Sequence, residues 1–93
     1  MLFRSRLTGQ NGVRYTVPQY LDPEAMEETV TVRFRVGQPY RDADLAVYLD
    51  GRLLRRVHKR ILRPGEMEQL TLRRADLPRG LKQITIQVEE GAQ

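Results

Sequence analysis

In the segment Val30-Thr31-Val32-Arg33-Phe34-Arg35-Val36, apolar and polar residues alternate. Val30, Val32, Phe34 and Val36 share one face of an extended chain, and Thr31, Arg33 and Arg35 share the other. This is the mark of a strand with one face in a core. Leu45, Val47 and Leu49 alternate with Ala46 and Tyr48, and Asp50-Gly51 follows. Asp-Gly between apolar runs predicts a two-residue hairpin, because both central positions of a type I′ turn need positive φ. Residues 53–62 form the expected return strand. There Leu53, Val57 and Ile61 share a face with Arg55 and Lys59, which calls for a bulge, an edge position or charged stems lying across apolar surface.

Further strands are expected around Leu70 and Leu72, and over Ile84, Ile86 and Val88. Another is expected over Val13-Arg14-Tyr15-Thr16-Val17, closed by Pro18, with residues 2–8 its candidate partner across Gly9-Gln10-Asn11-Gly12. Arg63-Pro64-Gly65-Glu66 and Leu77-Pro78-Arg79-Gly80 read as turns. Residues 22–28 are the one helix-like stretch, with Asp22 as cap, Pro23 at the first helical position and acids in the first turn. Six or seven short strands, with turn signals every ~8–12 residues, predict an all-β fold. The expected form is an immunoglobulin-like antiparallel β-sandwich, with a small barrel as the alternative. Residues 1–12 are expected as an extension or hairpin arm on a sandwich of residues 13–90. Val32, Phe34, Val47, Leu49, Leu70, Leu72, Ile84 and Ile86 form the expected core.

The length of 93 residues suits one domain. Such a chain buries roughly 60–65% of its unfolded surface, enough for one thin core but not for a deep cofactor cleft as well. The absence of cysteine excludes a disulfide framework, a thiolate zinc site and a Cys nucleophile. No apolar run approaches the ~18 residues of a membrane span. The segment Met1-Leu2-Phe3-Arg4-Ser5-Arg6 lacks the apolar stretch of a signal peptide. A cytoplasmic location is the expectation.

Catalytic chemistry is hard to assemble from this inventory. His58 and Ser5 are the single histidine and the single serine, and no triad spacing is present. Glu66 and Glu68 are two apart and would share a strand face, but they adjoin a Pro-Gly turn with no expected cleft. Neither the dinucleotide nor the P-loop glycine spacing occurs. The net charge is +4, and arginine supplies 14 of the 16 basic residues. The run Arg52, Arg55, Arg56, Lys59, Arg60, Arg63 raises the question of nucleic acid. On a strand, however, Arg56 and Arg60 point opposite to Arg55 and Lys59, and no aromatics are interleaved for stacking. A charged edge strand, protected from aggregation, is the favoured reading.

Three segments carry a family likeness: Asn11-Gly12-Val13-Arg14-Tyr15-Thr16-Val17-Pro18-Gln19, Val32-Arg33-Phe34-Arg35-Val36, and Pro64-Gly65-Glu66-Met67 followed by Leu70. In that order they resemble the C-terminal β domain of bacterial FAD-dependent NAD(P) oxidoreductases of the pyridine-nucleotide-disulfide type. The resemblance covers about residues 11–90. It implies a non-catalytic accessory domain that packs on the catalytic body of its parent chain or helps it dimerise. FAD and NAD(P) would be bound by that body, and no residue here is assigned to them. The apolar content of Leu2, Phe3, Tyr15 and Tyr20 marks one expected interaction surface, and Arg55, Arg56, Lys59 and Arg60 a second. A free-standing interaction module, and a basic anion or nucleic-acid binder, remain the alternatives.

Overall fold

A computed structural model describes residues 5–90. Eight strands form two facing sheets. They are β1 (Ser5–Gln10), β2 (Val13–Val17), β3 (Tyr20–Leu21), β4 (Thr29–Val36), β5 (Tyr40–Leu49), β6 (Arg52–Leu62), β7 (Glu68–Arg73) and β8 (Gln83–Glu90). The larger sheet has the order β3-β1-β8-β5-β6, and the smaller β2-β4-β7. The expected all-β sandwich is therefore present, with one strand more than the seven foreseen. One ladder departs from the antiparallel rule: β1 and β8, near the two ends of the chain, pair in parallel.

The inward positions of both sheets make a single core, and all eight residues expected there belong to it. Phe34, Val32, Leu45, Val47, Leu62, Leu72, Ile84 and Ile86 are fully enclosed. The Asp50-Gly51 turn forms as expected, with φ of 48° and 85°. The Asp50 carboxylate also accepts backbone N–H groups of Lys82 and Gln83, at 3.2 and 2.8 Å, so the hairpin tip holds the entry to β8.

Residues 1–12 do not form an arm in their described part. β1 lies inside the larger sheet, between β3 and β8. Leu7 is buried, and the Ser5 hydroxyl is enclosed and donates to the Leu81 carbonyl at 2.7 Å. β1 does not pair with β2 either. Asn11 and Gly12, with φ of 45° and 100°, turn the chain from one sheet to the other. Gly9 permits that crossing, since a Cβ there would stand 2.6 Å from the Val13 carbonyl oxygen. Residues 22–28 form a single turn, not a helix. Asp22 caps it as expected: its side chain accepts from Glu24 N–H, and its carbonyl accepts from Ala25 and Met26 N–H. One turn fixes several residues for few hydrogen bonds, and the chain leaves it for β4 before propagation can compensate.

Candidate interaction surfaces

The first surface lies where β2 leads into β3. Register between β2 and β4 runs Val13↔Val36, Arg14↔Arg35, then Val17↔Arg33. Two residues of β2, Tyr15 and Thr16, thus oppose Phe34 alone, which is a β-bulge. Strict alternation would send Tyr15 and Val17 inward after Val13. The bulge inverts this. Thr16 turns in and its hydroxyl donates to the Leu7 carbonyl at 3.3 Å, while Tyr15 and Val17 are 75% and 59% exposed. Tyr15 holds φ of 56°. That left-handed region costs a side-chain-bearing residue roughly 1–2 kcal/mol. Tyr20, on the short edge strand β3, is 50% exposed. Tyr15 and Tyr20 of the expected surface are thus both exposed, Tyr15 on β2 of the smaller sheet and Tyr20 on β3 of the larger. Leu2 and Phe3 lie outside the described residues.

The second surface is β6, the opposite edge of the larger sheet. A register shift between Val47 and Tyr48 places Val47 opposite Arg55 and Tyr48 opposite Leu53. Leu54 is the extra residue, so the parity conflict in the sequence is resolved by both a bulge and an edge position. Leu45 pairs with Val57 and Ala43 with Lys59, which puts Arg55, Val57 and Lys59 on the inward side. Arg55 reaches the Thr71 carbonyl on β7, and Lys59 lies 3.6 Å from Glu68 at the start of β7. These two stems span the gap between the sheets at this edge. The Arg55 Nε is buried without a hydrogen-bond partner among the described residues. Arg56 and His58 face the other way. The four basic residues proposed from sequence are therefore on one strand but not on one face.

Arg56 belongs to a polar network on the outer face of the larger sheet. Ala46 lies between Arg56 and Gln87 in the ladder and is completely enclosed although it faces outward. The groups above it explain this. Glu89 receives hydrogen bonds from Tyr48 and, at 2.8 Å, from Gln87, and forms a 2.8 Å ion pair with Arg56. The Tyr48 and Gln87 hydrogen bonds, and then the Arg56 charge, hold the Glu89 carboxyl below its ordinary pKa. Tyr48 and Glu89 correspondingly raise the Arg56 guanidinium.

Ser5, His58, Glu66 and Glu68, the side chains weighed for catalysis, do not converge. Ser5 is on β1 and His58 on β6, three strand spacings or about 14 Å apart across the sheet. His58 is exposed and faces Asp44 at 3.1 Å and Asp42 at 3.6 Å. Glu66 pairs with Arg63 and Glu68 with Lys59, so the two carboxylates are engaged separately. No cluster of three or more metal-ligating side chains occurs among the described residues. No helix among them is long and apolar enough to cross a membrane. No protein-family model, curated protein or solved structure matches the chain.

Proposed function

We propose that this chain is a non-catalytic protein-interaction domain that docks through Tyr15, Val17 and Tyr20. The observation that carries this reading is the bulge at Tyr15. Strained backbone persists where surrounding structure holds it, and it concentrates at functional positions. Here the strain moves two apolar side chains from the core side to solvent. A packing requirement alone gives no reason to do so, whereas a docking surface does.

The accessory-domain reading fits inside this proposal. The three segments that resemble the oxidoreductase domains fall on β2, on β4, and on the turn into β7, all in or adjoining the smaller sheet. In a parent flavin enzyme, Tyr15 and Tyr20 would face the catalytic body. Titration calorimetry with FAD and with NAD(P)H is then expected to show no micromolar binding to this domain, since among the described residues no Gly-rich turn leads into a helix that could receive a pyrophosphate. Micromolar affinity for either would sink the accessory reading.

Without that body, the exposed stretch is expected to find a second copy. Sedimentation of the domain at concentrations up to about 1 mM should show reversible association. A Tyr15→Ser/Tyr20→Ser variant should remain monomeric with an unchanged circular dichroism spectrum. Equal association of the two proteins would remove this surface from the proposal.

A further inference from the structure

The geometry points to β6 as a docking edge for an extended acidic peptide segment of a partner protein, which would add to the larger sheet as a sixth strand. This edge is separate from Tyr15, Val17 and Tyr20, and the inference stands independently of that surface. β6 is the longest strand, with 11 residues and neither proline nor glycine. The sheet ends on it, so one side of its backbone has no partner strand among the described residues. An open edge of this length, regular beyond the bulge at Leu54, is a template for strand addition.

Charge selects the occupant. β6 carries five Lys or Arg residues and no acid. Arg55, Lys59 and Arg56 already face Thr71, Glu68 and Glu89. Arg52 and Arg60, near the two ends, have no ion-pair partner among the described residues. A second copy is a poor occupant. Antiparallel pairing centred on Val57 sets Arg55 opposite Lys59 and Arg56 opposite His58. A one-residue shift, centred on Arg56, sets Arg52 opposite Arg60. Like charges directly opposite one another destabilise a ladder, and opposite charges support it. The exposed Leu53 and Ile61 supply apolar contacts beside Arg52 and Arg60. Nucleic acid fits less well, because Arg55 and Lys59 are turned toward the smaller sheet and the strand has no Phe, Tyr or Trp for base stacking.

The test is fluorescence anisotropy with a labelled Glu-Val peptide of about ten residues, within the ordinary range of strand lengths and long enough to lie opposite both Arg52 and Arg60. A Lys-Val peptide and single-stranded DNA of matched length serve as the other arms. Hydrogen exchange by NMR locates the bound strand. The Glu-Val peptide is expected to bind, the Lys-Val peptide not to bind, and β6 amides to gain protection. Arg52→Glu/Arg60→Glu should weaken binding about tenfold. Arg52→Gln/Arg60→Gln should weaken it less, and Tyr15→Ser/Tyr20→Ser should leave it unchanged, each with the wild-type circular dichroism spectrum. No binding of the Glu-Val peptide, equal binding of the Lys-Val peptide, protection confined to another strand, or tighter binding of DNA would each overturn the proposal.

Discussion

The two ends of the sandwich handle exposed strand edges in opposite ways. At one end, β2 is short, broken by a bulge at Tyr15 and closed by Pro18, and it exposes apolar side chains. Its backbone is a poor template, so the docking proposed there falls to side chains. At the other end, β6 is long and pairs with β5 along its length, with one shift near the turn, and is strongly basic. There the backbone is available and charge governs what can pair with it. The difference separates two ways of avoiding indiscriminate strand pairing: interrupting the edge, or charging it. It also gives the two proposed surfaces different chemistries, exposed apolar side chains at one end and a basic backbone edge at the other.

The largest expected effect tests whether the bulged end rests on the core. Phe34 lies opposite Tyr15 and Thr16 and is completely buried. Phe34→Ala should cost about 3–5 kcal/mol in chemical denaturation. A loss under about 1 kcal/mol would mean that this end of the sandwich is not packed as described.

A smaller effect is expected at the charged edge. Arg55 makes one backbone hydrogen bond but leaves its Nε buried with no partner among the described residues. Arg55→Met keeps much of the stem and removes the unsatisfied group. It should change stability by no more than about 1 kcal/mol, and an increase is the favoured sign. A loss above about 2 kcal/mol would show the guanidinium to be a structural clamp between the sheets.

Tyr15→Gly sharpens the comparison from the other side. Glycine adopts positive φ without penalty, and the side chain removed is mostly in solvent. Stability should be unchanged or higher by up to about 1 kcal/mol, while self-association falls. Marked destabilisation in the same denaturation assay would recast Tyr15 as a packing residue.

The smallest effect concerns the outer face. The folded-state pKa of Glu89 is depressed, mainly by the Tyr48 and Gln87 hydrogen bonds. Its contribution to stability is therefore present above the unfolded carboxylate pKa and lost as pH falls through the lower folded value. Glu89→Gln should flatten the acid limb of the stability–pH curve slightly. An identical acid limb in wild type and variant would show that the network does not couple to folding.

Much of the fold was legible because a half-buried strand writes its burial with period two. Val30 to Val36, Leu45 to Leu49 and Ile84 to Val88 could be assigned to faces directly, and Asp50-Gly51 marked its turn through the φ values it needs. The candidate surfaces were only partly legible. Tyr15 and Tyr20 were identifiable as apolar residues in excess of what an edge hairpin needs. That they face outward was not, because Val13, Tyr15 and Val17 have the spacing of a regular inward face. The parity conflict along residues 53–62 did signal the bulge and the edge position of β6.

The sequence by itself determined the strand class, the main core and the absence of a thiol or a glycine-rich phosphate loop, since these depend on local periodicity and on which residue types are present. Only the tertiary structure decided that β1 pairs in parallel with β8, that Ser5 is enclosed against Leu81, and that Thr16 replaces Tyr15 on the inward face. Those outcomes depend on partners far away in the chain. Parallel pairing joins segments from opposite ends, and a bulge is set by the match between two strands. Neither the β1–β8 pairing nor the bulge at Tyr15 leaves a periodic trace in its own strand, since Val13, Tyr15 and Val17 keep the spacing of a regular inward face.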